Sequence, residues 1–63
     1  MKLVNLLNII DGDTNVSVLG YSRKLFSGYM SEFYPMLLPF RVLESEVKAL
    51  WYSTDSKSVV IEV

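Results

Sequence analysis

Residues 46–63, with the sequence EVKALWYSTDSKSVVIEV, decide the fold class, because two alternating runs flank a polar segment. Glu46–Ser53 reads as a strand, Thr54–Lys57 as a turn and Val59–Val63 as the returning strand, a pattern typical of a β-hairpin. Side chains alternate between the two faces of a strand. The first strand is therefore expected to place Val47, Ala49 and Trp51 inward and Lys48, Leu50 and Tyr52 outward.

A second hairpin is predicted earlier in the chain. Asn15–Leu19 alternates as a strand, Gly20–Arg23 supplies a turn, and Lys24–Tyr29 returns. Gly28 within the returning strand indicates a bulge or a close backbone approach.

The first ten residues, Met1–Ile10, predict an amphipathic helix. Leu3, Leu6, Leu7 and Ile10 follow the i, i+3, i+4, i+7 spacing that places side chains on one helical face. A helix this short is unstable alone, so its apolar face is expected to dock on a sheet. The expected sheet face consists of Val16, Val18, Phe26, Val47, Ala49, Val59 and Ile61.

The segment between the hairpins, Met30–Phe40, is apolar but interrupted by prolines. Ser31 is expected to cap one helical turn through Tyr34, since serine oxygens accept hydrogen bonds from free amides at a helix start. Pro35 and Pro39 disfavour helical backbone at the residues before them. An extended crossing segment is therefore expected after that turn.

Together these elements predict a single α+β domain over residues 1–63. Its N-terminal helix packs on a small antiparallel sheet made of two β-hairpins. The alternative is a small β-barrel in which the sheet curls on itself and the helix plugs one end.

Composition excludes several classes of site. The chain has no cysteine and no histidine, which removes disulfides, thiolate ligands and the commonest general base. Asp11 and Asp13 are expected to shape a turn, and Glu44 and Glu46 to be solvated strand-edge charges. No catalytic residue, metal site or cofactor is predicted. No apolar run approaches the length of a membrane span, so a cytoplasmic location without membrane contact is expected.

The apolar content predicts an interface. Apolar residues make up 51% of the 63-residue chain, and so small a chain cannot enclose them all. The surplus should form an exposed patch through which the protein self-associates as a homo-oligomer. The residues expected at this interface are Tyr29, Tyr34, Met36, Leu50, Tyr52 and Val60.

Nucleic-acid binding is the alternative function. Tyr21 lies near Arg23 and Lys24 in the chain, and tyrosine with basic neighbours can bind single strands. However, the net charge is −1 and no basic run is present, which disfavours this function.

Several stretches resemble short uncharacterised proteins encoded by phages and prophages of Gram-positive bacteria. They are Leu3–Asn8, Asp13–Val18, Leu25–Gly28, Glu46–Trp51 and Val59–Val63. The resemblance implies a cytoplasmic accessory protein of unknown role, and it supplies no catalytic residues. Together with the apolar surplus, it leads us to expect an accessory or host-modulating factor that binds a host or phage protein.

Overall fold

A four-stranded mixed sheet forms the centre of the computed structural model, which describes residues 1–63. Its strands are β1 (Asn15–Gly20), β2 (Arg23–Tyr29), β3 (Ala49–Ser53) and β4 (Ser58–Glu62), in the order β2-β1-β4-β3. The structure is therefore α+β, and the two predicted hairpins are matched in part, since β3 begins at Ala49 rather than at the predicted Glu46. The expectation of an entirely antiparallel sheet is wrong, because β1 and β4 pair in parallel.

The strand order follows from the apolar content of the two hairpins. β4 contains Val59, Val60 and Ile61, which are buried or half-buried, whereas the side chains of β3 are mostly exposed. The more apolar strand of the second hairpin thus occupies the centre of the sheet beside β1. The less enclosed β3 is left at the edge. The barrel alternative is wrong, because the sheet ends in two edge strands, β2 and β3.

The N-terminal helix, α1 (Leu3–Leu7), is shorter than the predicted Met1–Ile10. Asn8–Ile10 continue as a turn. The predicted apolar face is nevertheless confirmed: Leu3, Leu6 and Leu7 are buried, and Ile10 is half-buried against the same core. Tertiary packing rather than capping holds this helix, since no side chain caps its first turn.

The segment between the two hairpins, residues 30–43, is called the crossing segment, and it is more helical than predicted. A 3₁₀ helix is present at Met30–Glu32, but the expected cap by Ser31 and the extent through Tyr34 are wrong, because Tyr29 occupies the N-cap position and the turn ends at Glu32. A second 3₁₀ helix follows at Pro35–Leu37. Pro35 is compatible with this second turn because proline is well tolerated at the first position of a helix. The short helix α2 (Phe40–Leu43) then completes the segment, with Val42 and Leu43 buried. The prediction of an extended path is therefore wrong beyond Tyr34.

The hydrophobic core lies between one face of the sheet and the helical segments. One cluster of ten buried residues joins α1, the sheet and the crossing segment. Its members are Leu3, Leu6, Leu7, Val16, Val18, Leu38, Val42, Leu43, Ile61 and Val63. Three further residues predicted for this face, Phe26, Val47 and Val59, are half-buried against the cluster.

The faces of β3 are the reverse of those predicted. Leu50 pairs with Ile61 and Trp51 pairs with Val60. Directly paired residues point to the same face, so Leu50 lies on the helix-bearing face and Trp51 on the opposite face. Lys48 explains the reversal: its N–H donates to the Glu62 carbonyl at 2.8 Å just before the ladder begins, in the manner of a bulge. This shifts the alternation by one residue after Val47.

Gly20 closes β1 where the backbone approaches the end of the chain. A Cβ at this position would lie 2.8 Å from Val63 Cγ2 and 3.1 Å from the Val63 carbonyl oxygen. We therefore expect Gly20→Ala to lower the free energy of unfolding by about 1–3 kcal/mol, the usual cost of overpacking. Urea denaturation measures this change, and an unaltered midpoint would contradict the close approach.

Candidate interaction surfaces

The two edges of the sheet differ in how they are protected against pairing with another chain. β2 carries Arg23 and Lys24, its pairing with β1 is interrupted by a register shift beside Leu19, and Gly28 has a φ of 152°. Charges, bulges and glycine conformations of this kind discourage a further strand from pairing. Within Ala49–Ser53, β3 contains no charge, glycine or proline. The charge and the bulge-like bond of Lys48 and the bridge between Lys2 and Glu46 lie just before the strand.

The side chains of β3 are exposed on both faces of the sheet. Leu50 and Tyr52, on the helix-bearing face, are 54% and 61% exposed, and Trp51, on the opposite face, is 44% exposed. The helices cover the core below β1 and β4 but leave these positions open. Alternate residues of a strand also direct backbone N–H and C=O groups to its outer edge. No strand pairs with that edge of β3.

A second exposed apolar surface lies on the crossing segment. Tyr34, Met36, Leu37 and Phe40 are all exposed. Their neighbours Leu38, Val42 and Leu43 are buried, so the segment anchors itself in the core and presents its remaining large side chains outward. We call these four residues the crossing-segment surface.

The six predicted interface residues lie in different parts of the structure. Leu50 and Tyr52 lie on β3, Tyr34 and Met36 lie on the crossing-segment surface, and Tyr29 ends β2 at the other edge of the sheet. These five are exposed, and their role in an interface stays a prediction.

Val60 is different from the other five, because it is only 6% exposed and the expectation of an exposed position is wrong. It lies in the central strand β4, where the register places it between Ser17 and Trp51. Neighbours on both sides therefore enclose its side chain.

Sequence reasoning missed Trp51 as an exposed residue and did not single out Leu37 and Phe40 within their exposed apolar segment. For Trp51 the missing signal was strand order, which decides whether β3 or β4 lies at the edge. The greater β-branched content of β4, which suits a buried central strand, could have indicated it. For Leu37 and Phe40 the prolines obscured two short helical turns.

An open groove of about 870 Å³ lies beside the turn between β1 and β2. Its lining includes Tyr21, Arg23, Lys24 and Lys48, together with the acidic residues Glu46 and Glu62. The groove thus brings three cations together, but two carboxylates counter them.

Tyr21 and Ser22 form the tip of this turn with φ angles of 53° and 65°. Left-handed backbone is costly for residues other than glycine and persists where the surroundings hold it. Here the Tyr21 hydroxyl lies 3.2 Å from Ser45 Oγ, and the Arg41 guanidinium lies 5.8 Å from the centre of the Tyr21 ring.

Two ion pairs fasten the N-terminal residues to the segment before β3. Lys2 Nζ donates to Glu44 Oε1 at 2.7 Å, and the Met1 amine donates to Glu46 Oε2 at 2.7 Å. The hydrogen bond to Glu44 raises the pKa of Lys2, and the hydrogen bond from the amine lowers the pKa of Glu46. Glu44 and Glu46 therefore act as paired surface charges rather than as a carboxylate pair.

We expect Glu44→Gln to return the pKa of Lys2 toward its ordinary value of 10.5. Because this pKa is higher in the folded state, the stabilisation from the pair is present below pH 10.5 and is lost as the pH rises through the raised value. NMR titration of the Lys2 side chain measures the shift. An identical pKa in both proteins would show that Glu44 is not its cause.

The structure contains neither a cluster of metal ligands nor a membrane-crossing helix. No group of three or more acidic side chains converges where a metal ion could bind. No helix in the structure has the length and apolar content that a membrane crossing requires. Comparison with known proteins gives no match to a protein family, to a curated protein or to a solved structure.

Proposed function

We propose that the protein is a small non-catalytic interaction module that self-associates through its exposed apolar surfaces. The observation that carries this proposal is the exposure of eleven large apolar side chains on so small a chain. Only 14 of the 63 residues are buried. Covering one such side chain contributes about 1.5–3 kcal/mol before the costs of association. Contiguous exposed apolar patches on small proteins commonly mark interfaces.

The composition supports a cytoplasmic setting, since a chain without cysteine needs no oxidising compartment. The resemblance to short phage and prophage proteins supports a role as an accessory or host-modulating factor, with a host or phage protein as a further partner. In this proposal the self-associated form presents whichever apolar surface remains uncovered to that partner.

Light scattering coupled to size exclusion tests self-association over a wide range of micromolar concentrations. We expect the mass to rise with concentration toward at least twice the 7.2 kDa of one chain. An apolar interface should persist at high salt, because salt screens charges rather than apolar contacts. A constant mass of one chain throughout would contradict the proposal.

A second candidate function, single-strand nucleic-acid binding, is favoured by one observation. The groove beside the β1–β2 turn brings Lys48, which is distant in the chain, next to the neighbouring residues Tyr21, Arg23 and Lys24. An aromatic ring with several cations can stack a base and contact phosphates. Fluorescence anisotropy with a labelled single-stranded oligonucleotide tests it. Binding should weaken steeply with salt, and Lys24→Glu should weaken it further.

A further inference from the structure

We propose that β3 is the seam of a two-fold homodimer, in which the β3 strands of two copies pair antiparallel and join their sheets into one of eight strands. This inference rests on the self-association proposed above and names its surface and geometry. Strand addition of this kind obtains affinity from backbone hydrogen bonds and specificity from the neighbouring side chains.

The contrast between the two sheet edges selects β3. β2 is protected by Arg23, Lys24 and the φ of Gly28, whereas β3 offers an uncharged edge with unpaired backbone groups. A sheet in which only one of the two edges is unprotected can add a strand only at that edge. Pairing through the same edge about a two-fold axis closes the assembly as a dimer instead of extending it into a fibre.

The sequence of β3 suits antiparallel pairing with itself. An axis at Trp51 places Trp51 opposite Trp51 of the second copy and Leu50 opposite Tyr52 of the second copy. In this register, the two residues of each pair either both direct their backbone groups outward or both direct them inward. Each outward N–H of one copy therefore meets an outward C=O of the other copy. The Leu50–Tyr52 pairs occur twice on the helix-bearing face, and the tryptophan pair lies on the opposite face. Aromatic cross-strand pairs of this type stabilise sheets.

The charges that flank β3 favour the antiparallel orientation. Lys48 precedes the strand, and Asp55 lies in the turn that follows it. Antiparallel pairing brings Lys48 of each copy near Asp55 of the other. Parallel pairing would instead align Lys48 with Lys48, and like charges directly opposite each other destabilise a sheet.

The area of the seam indicates a reversible dimer. Large side chains bury about 150–250 Å² each, and roughly half of that is exposed for Leu50, Trp51 and Tyr52. The three side chains therefore contribute about 300 Å² per copy, well below the roughly 800 Å² per partner of a standard stable interface. Association in the micromolar range is expected, with rapid exchange of subunits.

The first experiment compares charged substitutions on the two exposed apolar surfaces by sedimentation equilibrium. Leu50→Lys and Tyr52→Lys introduce the charge that commonly protects edge strands, and both positions are exposed enough to accept it without unfolding. Met36→Lys and Phe40→Lys are the matched controls on the crossing-segment surface. Circular dichroism verifies that each variant remains folded.

The outcomes separate this inference from the proposed function. Loss of dimer only in Leu50→Lys and Tyr52→Lys supports the seam. Loss only in Met36→Lys and Phe40→Lys overturns the seam, while self-association through another surface stands. If the unmodified protein is a monomer at all concentrations, both the seam and the proposed self-association are overturned.

A second experiment tests the register through disulfide formation, which the absence of native cysteine makes simple. Leu50→Cys and Tyr52→Cys are prepared separately, then mixed and oxidised. The register places the two cysteines opposite each other only in the mixture, and cysteines two residues out of register are too far apart to bridge. We expect the mixed disulfide by mass spectrometry and little dimer from either variant alone. Equal cross-linking in all three samples would overturn the register.

Discussion

Ile61→Ala should lower the free energy of unfolding by roughly 2–5 kcal/mol, because a buried isoleucine is replaced by a side chain that leaves a cavity. Ile61 is 0% exposed and lies in the central strand β4, paired with Val18 on one side and Leu50 on the other. It also belongs to the core cluster that joins the sheet to α1 and the crossing segment. Its removal therefore weakens all the layers of the fold at once.

The size of this effect matters because the chain is short. At about 0.05–0.15 kcal/mol per residue, 63 residues have a total stability of roughly 3–9 kcal/mol. The substitution is expected to remove about half of it, so that part of the protein is unfolded at physiological temperature. Urea denaturation followed by circular dichroism measures the loss. Protein concentration must be held constant, since self-association adds to the apparent stability.

Ile9→Ala provides the matched control, with the same chemical change at a surface position. Ile9 is 71% exposed and lies in the turn after α1. Surface substitutions of this kind usually change stability by no more than about 0.5 kcal/mol. Equal losses from the two variants would contradict the assignment of Ile61 to the core.

The local elements of this fold could be predicted from the sequence because each depends on neighbouring residues. The spacing of Leu3, Leu6 and Leu7 indicated the buried face of α1 correctly. The polar turns at Gly20–Arg23 and Thr54–Lys57 located both hairpins. Such patterns need only the periodicity of a helix or a strand.

Strand order and the phase of β3 could not be predicted, because both depend on contacts between distant parts of the chain. The parallel pairing of β1 with β4 joins residues more than forty positions apart, such as Val16 and Val59. The bulge-like bond from Lys48 to Glu62 shifts the alternation by one residue, which exchanges the two faces of the strand. Trp51, expected in the core, consequently lies on the outer face.

For the candidate interaction surfaces too, the sequence indicated the local features but not those that depend on contacts between distant residues. Composition alone indicated that apolar residues must be exposed, and Leu50, Tyr52, Tyr34 and Met36 are exposed as expected. That Leu50 and Tyr52 lie on an edge strand was not visible in the sequence, because strand order depends on contacts between distant residues. The anchoring of the crossing segment in the core through Leu38, Val42 and Leu43 was not visible either.

Val60→Lys should unfold the domain rather than only dissociate an assembly. The substitution removes about 1.5–3 kcal/mol of apolar burial and encloses an ammonium group whose desolvation costs several kcal/mol more. The expected loss of about 3 kcal/mol or more is comparable to the whole stability of so short a chain. Loss of the circular dichroism signal at room temperature checks this.

The neighbouring strand supplies the contrast that makes the Val60 result informative. Tyr52→Lys, at an exposed position of the same hairpin, keeps its charge in water and should leave the domain folded. If Val60 instead lay on an open interface, the two variants would behave alike, with a folded monomer in both cases. A folded, monomeric Val60→Lys protein would thus contradict its burial between Ser17 and Trp51 and return it to the surface where alternation alone had placed it.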